Sequence, residues 1–466
     1  MKTSNKPKVG LLALTLELYE TLAPALRENR EGWVRRSVLP ALDREFDVLF
    51  HQAVFTTEGI GKELQQFETE GACAVIILFL CYSPSQVSLP ALKKTRLPIL
   101  IWNTQELYAV DSSFTGQNMS NNHGVHGTHD LGNVLCRNNI PFEIVTSHLD
   151  DSDSLEEMRD FMIAAETRKS LQGSNFALLG YPFPGMGDFG VDVTQLVAEF
   201  GTSYGILPLE EYIQRAENAS EENVAAIVQN YRESYEIAPD LVDIDLEWAA
   251  RVEIAFRQMI QTRNLAGLTY QFTAFGEDER TPTIPFVAIS RLMGEGIGFG
   301  GEGDLVSTTG TTIFQRLSGA ATFAEIFTTD FAGNSLLFSH MGEFNTAMAR
   351  KDRKISLVGR SQIAKNRFRQ LVLVGSLEPQ LATFCTLTVA EDGWKMIMTT
   401  GEIDDFGPLA KMNAPHTKLK LKIDVRDFLS NYVRLGGPHH NALCFGDVRR
   451  RLTYFAQLMG IDLFEL

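Results

Sequence analysis

Two glutamates and two histidines, Glu302, Glu325, His340 and His440, are the residues best equipped to do chemistry together. Two carboxylates and two imidazoles make a mixed oxygen–nitrogen shell suited to Mn²⁺, Co²⁺, Fe²⁺ or Zn²⁺. No thiolate is offered at these positions, which leans away from a structural zinc site. Histidine is scarce, nine in 466 residues, so where it falls is informative. His340 ends the apolar run Leu336-Leu337-Phe338-Ser339, and His439 and His440 follow Gly436-Gly437-Pro438, a sharp turn after a helix. Each residue alone has a plainer reading. A lone histidine is more often satisfied in a core or loop, Glu325 alone would be a helix-surface glutamate, and Glu302 alone would sit solvated in a tight turn. The set is more specific than any member.

Glu302 lies in the densest motif of the chain, Gly296-Ile297-Gly298-Phe299-Gly300-Gly301-Glu302-Gly303-Asp304. Gly298, Gly300 and Gly303 satisfy the GxGxxG dinucleotide pattern, which is weak without its context. The glycines follow a helical pattern over residues 284–293 rather than a strand, and Glu302 and Asp304 would repel a pyrophosphate. The alternative use of the glycines is to let backbone approach a small ligand and free an acid to point inward. A further cluster, His123, His126 and His129, has a spacing of three that could hold a metal. Gly124 and Gly127 argue against a regular helix through it. A helix N-terminus offering histidine and backbone N–H groups to a polar ligand is the better expectation there.

These residues need a scaffold, and the sequence predicts one in three parts. The first alternates apolar runs (residues 9–14, 47–50, 74–80, 97–102 and 142–146) with helical stretches, including one over 128–138. That rhythm implies a parallel, doubly wound sheet whose ligands bind at the carboxyl ends of its strands. Gln172-Gly173-Ser174 breaks the pattern, and a second α/β segment follows with long helices near 221–236 and 241–263. Beyond about residue 330, short β-rich runs at 335–339, 370–374, 382–389, 396–400 and 417–423 suggest a barrel or sandwich.

Composition narrows the function. With 44% apolar and 21% charged residues the chain is globular rather than disordered or fibrous. A net charge of −16 disfavours nucleic acid and anionic membranes as partners. The longest apolar run, residues 72–82, is too short to cross a bilayer. Residues 9–14 are too few, and Glu17 follows too soon, for a secretory signal. Five cysteines, an odd number without a CxxC pair, fit reduced thiols and a cytoplasmic location.

Together these segments resemble the L-arabinose isomerase family. The glycine-rich stretch, preceded by Val287-Ala288-Ile289-Ser290-Arg291-Leu292-Met293, looks like its first metal-glutamate segment, and Phe323-Ala324-Glu325 looks like the second. Ser339-His340-Met341-Gly342-Glu343 and Leu435-Gly436-Gly437-Pro438-His439-His440 resemble its two metal-histidine stretches. Val125-His126-Gly127-Thr128 resembles the segment of a substrate-contacting histidine, and Pro184-Gly185-Met186 falls where a methionine lies near the sugar.

The resemblance implies a divalent-metal-dependent aldose–ketose isomerase working through a cis-enediol, with Mn²⁺ or Co²⁺ on Glu302, Glu325, His340 and His440. The two glutamates would also move the protons. His126, Met186, Leu16, Phe275 and His439 would contact the sugar. Leu16 stands where the family has a hydrogen-bonding side chain, so a different sugar, or a different reading of its far end, is expected. The implied architecture is two Rossmann-like α/β domains, residues 1–172 and 173–328, followed by a C-terminal β-barrel domain, residues 329–466. The first would contact substrate and form the oligomer interface, the second would carry the metal glutamates and the third the metal histidines. A homo-oligomer, trimer or hexamer, with active sites between subunits is implied as well. The competing functions are an isomerase of another pentose or hexose on the same scaffold, a catalytically silent sugar-binding protein, and an NAD-linked oxidoreductase using the glycine loop.

Overall fold

A computed structural model describes residues 6–360, 363–391 and 393–466. The chain divides into two compact units that meet at Lys169 and Ser170 in the sequence.

In the first unit, strands β1 (Lys8–Leu14), β2 (Asp47–Leu49), β3 (Ala53–Val54), β4 (Ala74–Phe79), β5 (Ile99–Asn103) and β6 (Glu143–Thr146) form one parallel sheet. The order is β2-β1-β4-β5-β6, with β3 also paired to β1. Every residue of β4 is buried, as its unbroken run Ala-Val-Ile-Ile-Leu-Phe requires of a strand covered on both faces. The chain leaves β1 toward β2 and returns past it to β4, so the strand order reverses at β1. The carboxyl ends of β1 and β4 therefore lie at a switch point, the place where sheets of this kind bind ligands.

The histidine segment departs from expectation. A regular helix, Gly124–Arg137, runs straight through the glycines, with His123 as its N-cap. The glycines are what allow the helix to pack so closely. A Cβ on Gly124 would lie 2.5 Å from the carbonyl oxygen of Phe79, and one on Gly127 would lie 2.3 Å from its ring. Gly124→Ala is accordingly expected to destabilise the first unit by about 1–3 kcal/mol through overpacking against backbone, outweighing the gain in helix propensity of up to ~1 kcal/mol. A lower urea midpoint at unchanged slope would report it.

The second unit begins with β7 (Asn175–Leu179) and β8 (Ser203–Leu207). The short β9 (Glu236–Ile237) comes next, then β10 (Leu265–Tyr270) and β11 (Gly298–Gly300). Four of these form a parallel sheet in the order β11-β10-β7-β8. The glycine motif thus contains a strand, contrary to the helix-to-loop reading. Glycines carry no side-chain alternation, so a strand made of Gly-Phe-Gly is invisible to periodicity.

The remaining strands are β12 (Ala321–Asp330), β13 (Ser335–Ser339), β14 (Ser356–Gly359), β15 (Leu371–Val374), β16 (Leu381–Ala390), β17 (Gly393–Ile403), β18 (His416–Leu421), β19 (His440–Phe445) and β20 (Asp462–Glu465). Strands β16-β19-β12-β13-β18-β17 are antiparallel neighbours, and a long β16–β17 ladder closes them into a six-stranded barrel. β14 joins β9 and β15 in a small separate sheet. Ala324, Leu336, Phe338, Phe384, Leu419 and Leu443 belong to one buried core cluster. β12 spans the expected boundary at residue 328, so Glu325 lies on a barrel strand and not on a helix surface. The fold is thus mixed α/β, with parallel sheets and a closed antiparallel barrel.

Candidate metal centre

Strand register assembles half of the centre. Glu325 on β12 is directly opposite His440 on β19 and opposite Ser339 at the end of β13. Opposed residues on antiparallel strands share a face with Cβ atoms about 5 Å apart. The ladder alone therefore brings Glu325 to His440 and close to His340, the residue after β13. Strand alternation puts Phe323 on the same face as Glu325. Its ring sits edge-on between the two imidazoles, 4.8 Å from His340 and 5.0 Å from His440 between centroids.

Glu302 arrives from the carboxyl end of β11. Its φ of +59° is left-handed, a conformation costing a non-glycine residue about 1–2 kcal/mol. The turn is held at three points. Phe183 N–H donates to the Glu302 carbonyl at 2.9 Å, Gly303 N–H to Thr269 Oγ1 at 3.0 Å, and Asp304 N–H to the Gly301 carbonyl at 2.9 Å. A Cβ on Gly301 would come within 3.1 Å of His340 Nε2, so glycine there keeps the approach open.

The side chains converge. His440 Nε2 is 3.2 Å from Glu302 Oε2 and 3.2 Å from Glu325 Oε1. His340 Nε2 is 3.6 Å from Glu325 Oε1, and His439 Nε2 is 3.6 Å from Glu302 Oε2. Glu302, Glu325, His439 and His440 can each offer one ligand atom within 4.8 Å of the others, and among the described residues this is the one such grouping. His340 adjoins it through Glu325. His123, His126 and His129 form no comparable group, although His123 Nε2 and His126 Nδ1 are 2.6 Å apart.

Each imidazole is gripped from behind by a carboxylate. Nδ1–H of His340 donates to Glu343 at 2.5 Å, that of His440 to Asp304 at 2.9 Å and that of His439 to Asp188 at 2.6 Å. Tyr270 in turn donates its hydroxyl to Glu343, while Asp304 also caps the helix Leu305–Ser318 through Ser307 N–H at 2.9 Å. A carboxylate on one ring nitrogen fixes the tautomer and turns the other nitrogen's lone pair forward, the arrangement usual behind metal-binding histidines. His340 Nε2 is buried without a hydrogen-bond partner. A buried lone pair facing carboxylates suits a cation, so these residues fit a divalent metal. They do not fit a pyrophosphate. The glycine motif does form strand, turn and helix, but Asp304 occupies the helix N-terminus and Glu302 stands beside it.

Burial disfavours ionisation of both glutamates, but the adjacent imidazoles outweigh it and hold both carboxyls below the usual carboxylate range. Burial likewise opposes protonation of His340 and His440. The carboxylates of Glu343, Glu325 and Glu302 around the first, and of Asp304, Glu302 and Glu325 around the second, outweigh it and raise both. Negative charge here is thus balanced by protons on the imidazoles or by a cation in their place.

Of the expected sugar contacts, Met186 and the half-exposed His439 lie in the same unit as the centre. Phe275 is a correction. It is fully buried, edge-on to Tyr212 and Tyr270 in the core, and presents no surface to a ligand. Leu16 and the exposed His126 belong to the first unit, Leu16 directly beyond β1. Three buried hydroxyls there, Thr15 Oγ1, Ser83 Oγ and Thr104 Oγ1, follow the carboxyl ends of β1, β4 and β5 and lack hydrogen-bond partners. The residues not assigned from sequence are Asp188, Phe189, Asp304, Phe323 and Glu343. Glu343 and Asp304 stood inside quoted motifs, whereas Asp188 is 251 positions from His439 and gave no signal.

Three domain families match in succession. Residues 31–173 match the L-arabinose isomerase N-terminal domain, 179–320 the central domain and 320–462 the C-terminal domain. L-arabinose isomerase of Acidothermus cellulolyticus is 25% identical over 423 residues, 87% of this chain and 83% of the relative. That of Geobacillus kaustophilus is 25% identical over 451 residues, 92% and 87% respectively, and that of Geobacillus stearothermophilus 24% over 438, 90% and 86%. The protein is an enzyme of the aldose–ketose isomerase class. It belongs to the L-arabinose isomerase family. Among the described residues no helix is long and apolar enough to cross a membrane.

Proposed function

We propose that the protein interconverts an aldose and its 2-ketose, a reaction of the L-arabinose to L-ribulose type, through a cis-enediol and with a divalent cation, Mn²⁺ or Co²⁺. Glu302, Glu325, His340 and His440 hold the cation. When bound, it supplies Lewis-acid stabilisation of negative charge on the sugar's first two oxygens. The observation that carries this reading is the convergence of two ionised carboxylates on Nε2 of His440, with every imidazole locked from behind by a carboxylate.

One glutamate takes the proton from C2 and returns it to C1, while the other serves the oxygens. Both carboxyls are held below their ordinary range, so at neutral pH both are ionised and able to accept a proton. His439 and Met186 contact the sugar from the same unit. Leu16 and His126 contact it from the first unit of a neighbouring copy in a trimer or hexamer, and the unpartnered hydroxyls of Thr15, Ser83 and Thr104 support a polar ligand there. A domain division that moves the second boundary to Ala320 keeps β12 whole and leaves both histidines and Glu325 on the barrel.

The test is a panel of aldopentoses and aldohexoses incubated with Mn²⁺-loaded protein while ketose is assayed. Conversion of one aldose or a small stereochemical group is expected. Leu16 predicts that L-arabinose is not the best of them. Tight sugar binding without any ketose would replace the isomerase by a sugar-binding protein.

A further inference from the structure

The loop after β7 touches the centre at three places. Phe183 N–H holds the Glu302 carbonyl at 2.9 Å, and Phe189 lies flat on His440 with centroids 5.3 Å apart and planes 8° from parallel. Asp188 takes two hydrogen bonds from one residue on the same oxygen, from the backbone N–H of His439 at 2.9 Å and from its Nδ1–H at 2.6 Å. A single ring hydrogen bond would leave the imidazole free to swing with its backbone. The double grip ties ring and backbone to one point and leaves Nε2 without a proton in the neutral ring. That Nε2 faces Glu302 at 3.6 Å. His439 also differs from the other two imidazoles in access, with 39% of its side chain exposed against 4% for His340 and 0% for His440. A ligand entering from solvent meets His439 first.

We propose that Asp188 is a positioning residue, fixing the His439 ring so that Nε2 faces the incoming sugar and accepts a hydrogen bond from one of its hydroxyls. This rests on the isomerase reading only for the identity of the ligand. The sugar is thereby oriented at the rim of the centre by Nε2 of His439, while His340 and His440 remain with the cation. Asp188 does not touch the reacting atoms and acts wholly through His439.

The experiment compares the wild type with Asp188→Ala and Asp188→Asn. In metal-free, sugar-free protein at a pH where the ring is neutral, ¹⁵N spectra of labelled histidine are expected to show His439 as the Nδ1–H tautomer. Asp188→Ala should move it toward Nε2–H, and Asp188→Asn, which keeps an acceptor oxygen, should largely restore it. With the best aldose, Asp188→Ala is expected to raise KM about tenfold or more with kcat little changed, and Asp188→Asn to recover most of that loss. Mn²⁺ affinity, read from the electron paramagnetic resonance of free Mn²⁺, should stay within about twofold of wild type; loss of a cation ligand's support would instead cost about 10–100-fold. An unchanged tautomer in Asp188→Ala overturns the proposal, as does an unchanged KM. A 10–100-fold loss of Mn²⁺ affinity would make His439 a cation ligand and overturn it too. A wild type that converts no aldose defeats the isomerase reading alone, and the ¹⁵N spectra still decide whether Asp188 sets the ring.

Discussion

Glu302→Gln is expected to lower kcat on the order of 10³-fold with saturating Mn²⁺. Glutamine keeps the size of the side chain and an oxygen for the imidazoles, but it cannot take a proton from carbon and brings no charge to the cation. Despite burial, His439 and His440 hold the native carboxyl well below its ordinary range, so the group lost is an ionised carboxylate. Glu325→Gln should fall by a similar factor, since Glu325 shares Nε2 of His440 at 3.2 Å. Stability supplies the control. Glu302 carries a left-handed backbone worth about 1–2 kcal/mol of strain, which glycine would relieve. Glu302→Gly is thus expected to lose turnover as fully as the glutamine variant, with relief of backbone strain offsetting part of the stability lost with the carboxylate–imidazole contacts in the metal-free protein. Full activity in either glutamine variant would remove that residue from the mechanism.

The apolar runs that became β1, β4 and β5 were legible because a strand buried on both faces must be continuously apolar, and the barrel strands because turn residues punctuate them. Elements whose side chains carry no pattern were hidden. β11 is Gly-Phe-Gly, and the helix through His126 runs over glycines that serve close packing on Phe79. Glu325 was recognised by type and order, but its strand was not, because β12 turns from buried to solvated halfway along. Phe275 was the error of the opposite kind. It was expected at the sugar from the resemblance alone, and its ring is taken up by the core. The carboxylates behind the histidines divide the same way. Glu343 lies three residues from His340 and within one motif, whereas Asp188 meets His439 only through the tertiary fold.

Removing the divalent cation is expected to abolish turnover and to lower the melting temperature by several degrees, and Mn²⁺ or Co²⁺ should restore both. A ligand that binds only the folded state at 100 times its Kd adds about 2.7 kcal/mol, and a unit somewhat larger than 150–250 residues shifts by about 2 °C per kcal/mol, the low end of the range for that size. The proposed donors come from a turn after β11 and from three barrel strands or their ends, so a bound ion would tie the parallel sheet to the barrel. The pH dependence has a definite sign. In the metal-free protein His340 and His440 keep their protons to a pH above the ordinary 6.5, because the surrounding carboxylates outweigh burial. A cation must displace those protons, so its affinity should rise with pH through and beyond that value and weaken steadily below it. Titration of metal-free protein with Mn²⁺ from pH 6 to pH 9 measures this directly. An affinity indifferent to pH would mean that neither imidazole is a ligand, and turnover surviving exhaustive chelation would mean that the two glutamates work without a metal.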